Sequence, residues 1–253
     1  MRIQILPATV FGTPGHGVTG FLVDGVLAVD AGQLGQFGTC AEQAAIRDVL
    51  LTHSHLDHIA GLPAFLDNVY GLAELPPTIH ASKPTLDALR TDLFNDRIWP
   101  DFIGMAKSMP PFLELRECEP NRPFACGRYT VIAIPLDHPV PTVAYLIDDG
   151  RAAIAIVTDT APVPAVFAAL GRWPRLRAVF LECSFPSGRK ELAIASGHLT
   201  TSDFADAVAL LPPALPVFAI HVKPRDCDEI VAEVRALGLP NVQIGEPGRI
   251  VEV

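Results

Sequence analysis

The chain has 253 residues, 49% of them hydrophobic, and carries 19 Lys and Arg against 28 Asp and Glu, a formal charge of −9. A chain this long and apolar can bury a large core, while its acidic balance and lack of clustered cations disfavour an extended nucleic-acid partner, since tracking a phosphate backbone takes many grouped Lys and Arg. No apolar run approaches the ~18 residues of a membrane helix, and Met1 to Val10 lack the basic start and long apolar stretch of a secretory signal.

In chain order, Arg2-Ile3-Gln4-Ile5-Leu6 reads as a strand stopped by Pro7, followed by the Gly-rich Gly12-Thr13-Pro14-Gly15-His16-Gly17, to whose His16 no role is assigned. Val26-Leu27-Ala28-Val29 ends in Asp30, with Asp24-Gly25 as a two-residue hairpin turn before it. The apolar strand Asp48-Val49-Leu50-Leu51-Thr52 runs into His53-Ser54-His55-Leu56-Asp57-His58. Helices are expected at 57–68, 83–96, 162–170, 202–211 and 225–236, and His80 reads as an ordinary core or surface histidine. Further along, Val131-Ile132-Ala133-Ile134 leads through Pro135-Leu136-Asp137 to His138, and Asp149-Gly150 marks a second tight turn. Ala153-Ile154-Ala155-Ile156-Val157-Thr158 ends in Asp159, and Val217-Phe218-Ala219-Ile220 ends in His221. Leu-Leu-Thr-His and Ile-Val-Thr-Asp suggest a weak internal twofold similarity, with these two segments ending equivalent strands. The 24 prolines are spread among turns and no linker separates halves, so residues 1–253 are expected to form one domain.

Four ligand-type side chains within six residues have metal-ligand spacing. Residues two apart on an extended segment point the same way, so His53 and His55 suit one ion, and a turn at Leu56 aims Asp57 and His58 at a second position. A polar rim is the alternative, but so many ionisable groups are costly to bury without an ion. The strand-end residues complete two sets: His53, His55 and His138 for one ion, Asp57, His58 and His221 for the other, and Asp159 to bridge them. His-rich ligation favours zinc, with Mn or Fe as alternatives decided by availability. The five cysteines are odd in number and form no Cys-x-x-Cys pair, which argues for a reducing cytoplasm and against sulfur ligation. Two divalent ions bring four positive charges and Asp57 and Asp159 cancel two, so the pocket should favour small anions such as phosphate or sulfate esters. A hydroxide bridging the two ions would make the reaction a hydrolysis. His198, in the loop Ser196-Gly197-His198-Leu199-Thr200, can protonate a leaving group or simply be solvated.

This order of motifs resembles the metallo-β-lactamase superfamily of dinuclear metallohydrolases. The resemblance implies an α/β fold of four layers, an αβ/βα sandwich with the ions where strands end, and makes Asp30 a residue that orients ligands without ligating. The segment from Val179 to Ser202, including Glu182-Cys183-Ser184, is similar to one in class II cyclic-nucleotide phosphodiesterases and ribonuclease Z, where a loop histidine sits near the scissile phosphate. By that likeness His198 is the proton donor, with Glu182 to hold its imidazole and Asp57 serving both ligation and catalysis. His53 through Pro63, Leu93 through Asp101 and Ile220-His221-Val222-Lys223-Pro224 are similar to class II phosphodiesterase signatures, and the last two blocks are not expected in ribonuclease Z. The implied activity is opening of 3′,5′-cyclic AMP or GMP to the 5′-nucleotide. Phe94, Arg97 and Trp99, in an insert at about 70–110, are candidates to stack on the purine and contact phosphate, and Lys223 to meet the phosphate. The rivals are a ribonuclease Z-like tRNA 3′ endonuclease, an aryl- or alkylsulfatase of the same fold, and a non-catalytic nucleotide sensor. A homodimer is expected by analogy alone.

Overall fold

The computed structural model describes residues 1–6, 9–10, 13–14, 19–106 and 109–253. Gly12, Gly15, His16 and Gly17 of the Gly-rich segment lie outside the described residues.

Two seven-stranded sheets form the centre of the molecule. In the first, strands lie in the order Ile250–Glu252, Arg2–Ile5, Phe21–Val23, Leu27–Val29, Asp48–Leu50, Thr78–Ala81, Glu114–Glu117. In the second the order is Val242–Ile244, Val217–Ile220, Leu176–Glu182, Ala153–Val157, Thr142–Asp148, Tyr129–Leu136, Pro123–Cys126. Three apolar clusters show how the layers stack. Ile3, Phe21 and Leu50 of the first sheet meet Tyr145, Ile154, Phe180 and Phe218 of the second in one cluster between the sheets. Leu62, Phe65, Leu66 and Leu86 cover the outer face of the first sheet from helices Leu62–Val69 and Lys83–Ala88. Phe167, Phe204, Ile230 and Val234 cover the second from helices Pro164–Leu170, Thr201–Ala209 and Cys227–Ala236. The result is the four-layer αβ/βα sandwich. It also explains the nearly continuous apolar strand runs, because strands buried on both faces lose the alternation of a half-exposed sheet.

Both sheets repeat one pattern of neighbours, antiparallel twice and then parallel three times, from Arg2–Ile5 in the first and from Tyr129–Leu136 in the second. By that count Leu27–Val29 corresponds to Ala153–Val157, and Asp48–Leu50 to Leu176–Glu182. The expected equivalence of the Leu-Leu-Thr-His and Ile-Val-Thr-Asp strands is therefore corrected: Asp30 and Asp159 follow corresponding strands. The parallel strands end together, and their ends carry the polar residues.

The helices differ from expectation in detail. The segment 57–68 is two helices, Leu56–Ile59 and Leu62–Val69, broken at Gly61, where a Cβ would lie 2.6 Å from the Ala31 carbonyl oxygen. The segment 83–96 begins as Lys83–Ala88 and widens into a π turn over Leu89–Leu93. A further helix, Lys190–Ser196, leads into the loop that begins at Ser196, and the helix ends at Gly197 with φ +67°. The tight turns are also longer than two residues: loops 24–26 and 149–152 join the paired strands.

Candidate metal centre

Seven side chains converge where the two sheets' strand ends meet. His53, His55, His138 and Asp159 form one group, and Asp57, His58 and His221 another, with the ligand atoms of each group within 4.8 Å of one another. His53, His55, Asp57 and His58 follow the first-sheet strand Asp48–Leu50, whereas His138, Asp159 and His221 follow three strands of the second sheet. Asp159 stands between the groups. Its Oδ2 lies 3.6 Å from His53 Nε2, 3.8 Å from His138 Nε2 and 3.4 Å from His58 Nε2, and its Oδ1 lies 3.3 Å from His221 Nε2. His138 Nε2 is 3.2 Å from His55 Nδ1, and His221 Nε2 is 3.3 Å from Asp57 Oδ2.

These spacings test the fit of an ion. Nitrogen and oxygen ligands about 2.0–2.1 Å from a tetrahedral zinc stand about 3.3 Å from each other, and the observed 3.2–3.8 Å lies close to that. His53 Nε2, His58 Nε2 and Asp159 Oδ1 are buried with no hydrogen-bond partner. Buried polar atoms are ordinarily paired, so three orphans distributed over the two groups suit bound cations. A third group, Asp48, His80 and Cys126, differs: His80 Nε2 lies 2.7 Å from Asp48 Oδ1, a direct hydrogen bond that leaves no room for an ion between them.

The backbone is bent to deliver these groups. Asp30, Asp159 and His221 have φ of 59°, 32° and 55°, a left-handed region that non-glycine residues rarely adopt. Gly32 is required for packing, since a Cβ there would lie 2.2 Å from the carbonyl oxygen of Asp57.

A second ring of contacts sets the imidazoles. Asp30 is fully buried; its Oδ1 accepts from the Thr52 amide at 2.8 Å, and its Oδ2 lies 2.7 Å from His58 Nδ1. Thr52 Oγ1, bonded to Asp30, also sits 3.0 Å from His53 Nδ1. The Nδ1 atoms of both histidines are thereby engaged and their Nε2 atoms turn to the cluster, the arrangement ligating histidines use. Burial and neighbouring imidazoles push His53 down to about 2, so it is neutral and ready to ligate. Burial opposes a charge on His58, but Asp159 and Asp30 flank it and hold it well above the usual imidazole range. Burial would raise the carboxyls of Asp57 and Asp159; bonds and charges from His221 and His58 outweigh it and hold both below the usual range.

His198 joins the centre from the loop before helix Thr201–Ala209. It lies with Asp159 and His221 in a further ligand-type group, its ring stacked on His221 at 5.4 Å. Its Nδ1 is 3.1 Å from Glu182 Oε1, and that fully buried carboxylate also accepts from the Thr160 amide at 2.5 Å, Ser184 Oγ at 2.6 Å and the Leu199 amide at 3.1 Å. Burial lowers the basicity of His198, but its bond to Glu182 and that group's charge outweigh it and raise it above the ordinary value. Lys223 is half-buried and near enough for its charge to act on His198.

The insert residues stand apart. Phe94 is 1% exposed, stacked on Phe102 inside the outer core of the first sheet; its expected contact with a base is corrected to a packing role. Trp99 is half-buried with its ring edge-on to Phe102, and Arg97 is exposed on the turn between them. Neither makes a hydrogen bond or ring contact with a ligand among the described residues. Sequence reasoning missed Thr52 and Ser184. Ser184 could have been found, because a residue two past Glu182 in extended backbone faces the same side.

A family model described as the beta-lactamase superfamily domain matches residues 19–222. A probable 3′,5′-cyclic-nucleotide phosphodiesterase of Yersinia pestis is 26% identical over 206 residues, 71% of this chain and 58% of that protein. The chain thus matches little more than half the length of this relative. Among solved structures, unliganded yeast PDE1 superposes with a TM-score of 0.82 at 21% identity, covering 100% of this chain and 99% of that one. The short form of human tRNase Z gives 0.71 at 16% identity, covering 100% of this chain and 99% of that one. At these identities the structural likenesses establish the fold.

Proposed function

The chain belongs to the beta-lactamase superfamily, and from that premise we propose that it is a dinuclear metal-dependent phosphodiesterase hydrolysing 3′,5′-cyclic nucleotides to 5′-nucleotides. The observation that carries this reading is the pairing of two ligand sets through Asp159 with a buried His198–Glu182 pair beside the second set. A cyclic phosphodiester needs both parts. Its phosphorus needs a nucleophile and charge stabilisation, and its 3′ oxygen leaves as a poor alkoxide that needs a proton. Two divalent ions held by these sets, most simply zinc, would supply an acidified water and Lewis acidity.

The chain supplies the rest. Asp159 holds the two ligand sets in register, and Thr52 with Asp30 keeps His53 and His58 turned inward. Asp57, whose side chain is 31% exposed, and the half-buried His55 mark the open side of the centre, from which substrate would enter. Glu182 holds His198 by Nδ1, which leaves Nε2 to give its proton to the departing 3′ oxygen. Lys223, whose charge acts on His198, is assigned to the phosphate, and Arg97 and Trp99 stay candidates to bound the nucleoside from the insert. The activity for which the Yersinia pestis relative is named supports the substrate class. Five free cysteines suit a reducing, cytoplasmic setting.

The test is to incubate metal-loaded protein with 3′,5′-cyclic and 2′,3′-cyclic nucleotides, an aryl sulfate and precursor tRNA, and to identify products by mass. Formation of 5′-nucleotides is expected; inert cyclic nucleotides beside turnover of the sulfate or the tRNA would overturn the reading.

A further inference from the structure

Ser184 is fully buried, and its single hydroxyl touches four groups. Oγ lies 2.6 Å from Glu182 Oε2, 3.0 Å from His221 Nδ1, 3.2 Å from the His221 carbonyl oxygen and 3.4 Å from His198 Nδ1. A hydroxyl has one proton to give. The carboxylate at 2.6 Å is the nearest and only charged acceptor and takes it, so Oγ must accept from His221. That places a proton on His221 Nδ1, so that Nε2, 3.3 Å from Asp57 and Asp159, is the nitrogen free to give its lone pair to an ion held with those carboxylates.

The other half of the molecule repeats the device. Thr52 follows strand Asp48–Leu50, Ser184 follows the corresponding strand Leu176–Glu182, and each hydroxyl stands between a fully buried carboxylate and the Nδ1 atoms of two histidines. In the first half both histidines belong to the ligand groups. In the second, one is a ligand and the other is His198. We propose that Ser184 is a positioning residue that fixes the tautomer of His221 for the second ion and ties that ligand, through Glu182, to His198. The proposal rests on the two-ion reading above.

The test uses the full chain, Ser184→Ala and Ser184→Thr, with folding checked by near-ultraviolet circular dichroism. Imidazole nitrogen resonances of the ion-free proteins report the tautomer of His221, and zinc alone is titrated against a competing chelator. In Ser184→Ala, His221 is expected to lose its fixed Nδ1 proton, and the second equivalent of zinc to bind about 10–100-fold more weakly with the first unchanged; Ser184→Thr, which keeps the hydroxyl, restores both. An alanine variant with an unaltered His221 spectrum and two unchanged zinc affinities overturns the proposal. Uptake of a single zinc by the parent chain would overturn the two-ion reading, and the His221 spectrum would then decide the role of Ser184 by itself.

Discussion

Replacing Glu182 by Gln changes one oxygen of a fully buried carboxylate to an amide nitrogen and removes its charge. Four donors now converge on it: the amides of Thr160 and Leu199, the Ser184 hydroxyl and His198 Nδ1. Whichever way the glutamine amide is turned, its NH2 group faces a backbone N–H that can no longer be accepted. Turned toward Thr160, it opposes His198 as well; turned toward Leu199, it forces the Ser184 hydroxyl to rotate. One or two stranded donors at about 1–3 kcal/mol each, with the loss of a charge-assisted bond, sum to about 2–5 kcal/mol. For a chain of this size that lowers Tm by about 5–15 °C. The assay is thermal unfolding in chelator, so that ion loss does not contribute. The same variant removes the group that raises His198, so the falling limb of its pH–rate profile should move to lower pH. A Tm within about 1 °C of the parent chain, with an unmoved limb, would refute the assignment of Glu182 as the anchor of this network.

His198→Ala should keep its ions by elemental analysis and lose about 10²–10⁴ in kcat on cyclic nucleotides, with little loss on a p-nitrophenyl ester whose leaving group needs no proton; equal losses would count against proton donation. Asp159→Ala should lose metal and activity together, and a variant that still holds two ions would sink the bridging role. Because His198 is raised above 6.5, the stability from its pairing with Glu182 is complete below that pH and is lost as pH rises through the raised value. Turnover should decline across the same interval, and a profile flat across it would contradict the requirement for a protonated imidazole. Phe94→Ala should destabilise by about 3–5 kcal/mol with KM unchanged; a raised KM in a stably folded variant would return Phe94 to the substrate.

The residues proposed as ligands were legible because His53 to His58 is a dense local pattern, and because His138, Asp159 and His221 each follow an apolar run long enough to read as a buried strand. The paired sheets followed from resemblance more than from periodicity, since strands buried on both faces carry no alternation. What could not be read was anything set by long-range contact. The break at Gly61 depends on the Ala31 carbonyl, and the burial of Phe94 on Phe102 and the rest of the insert. The internal correspondence was misread because Thr52 and Thr158 look alike in sequence, whereas strand order decides which positions match. Thr52 and Ser184 escaped notice for a simpler reason: a hydroxyl beside a strand end has no signature until its neighbours are known.

The ligand groups draw on both sheets: His138 and Asp159 join His53 and His55, and His221 joins Asp57 and His58. On the proposed two-ion reading neither half supplies a complete set by itself, so cation capture would be the closing act of assembly and the ions would act as rivets across the seam. Prying the halves apart would then release them, and a fluorescent zinc dye added during unfolding would time that separation directly.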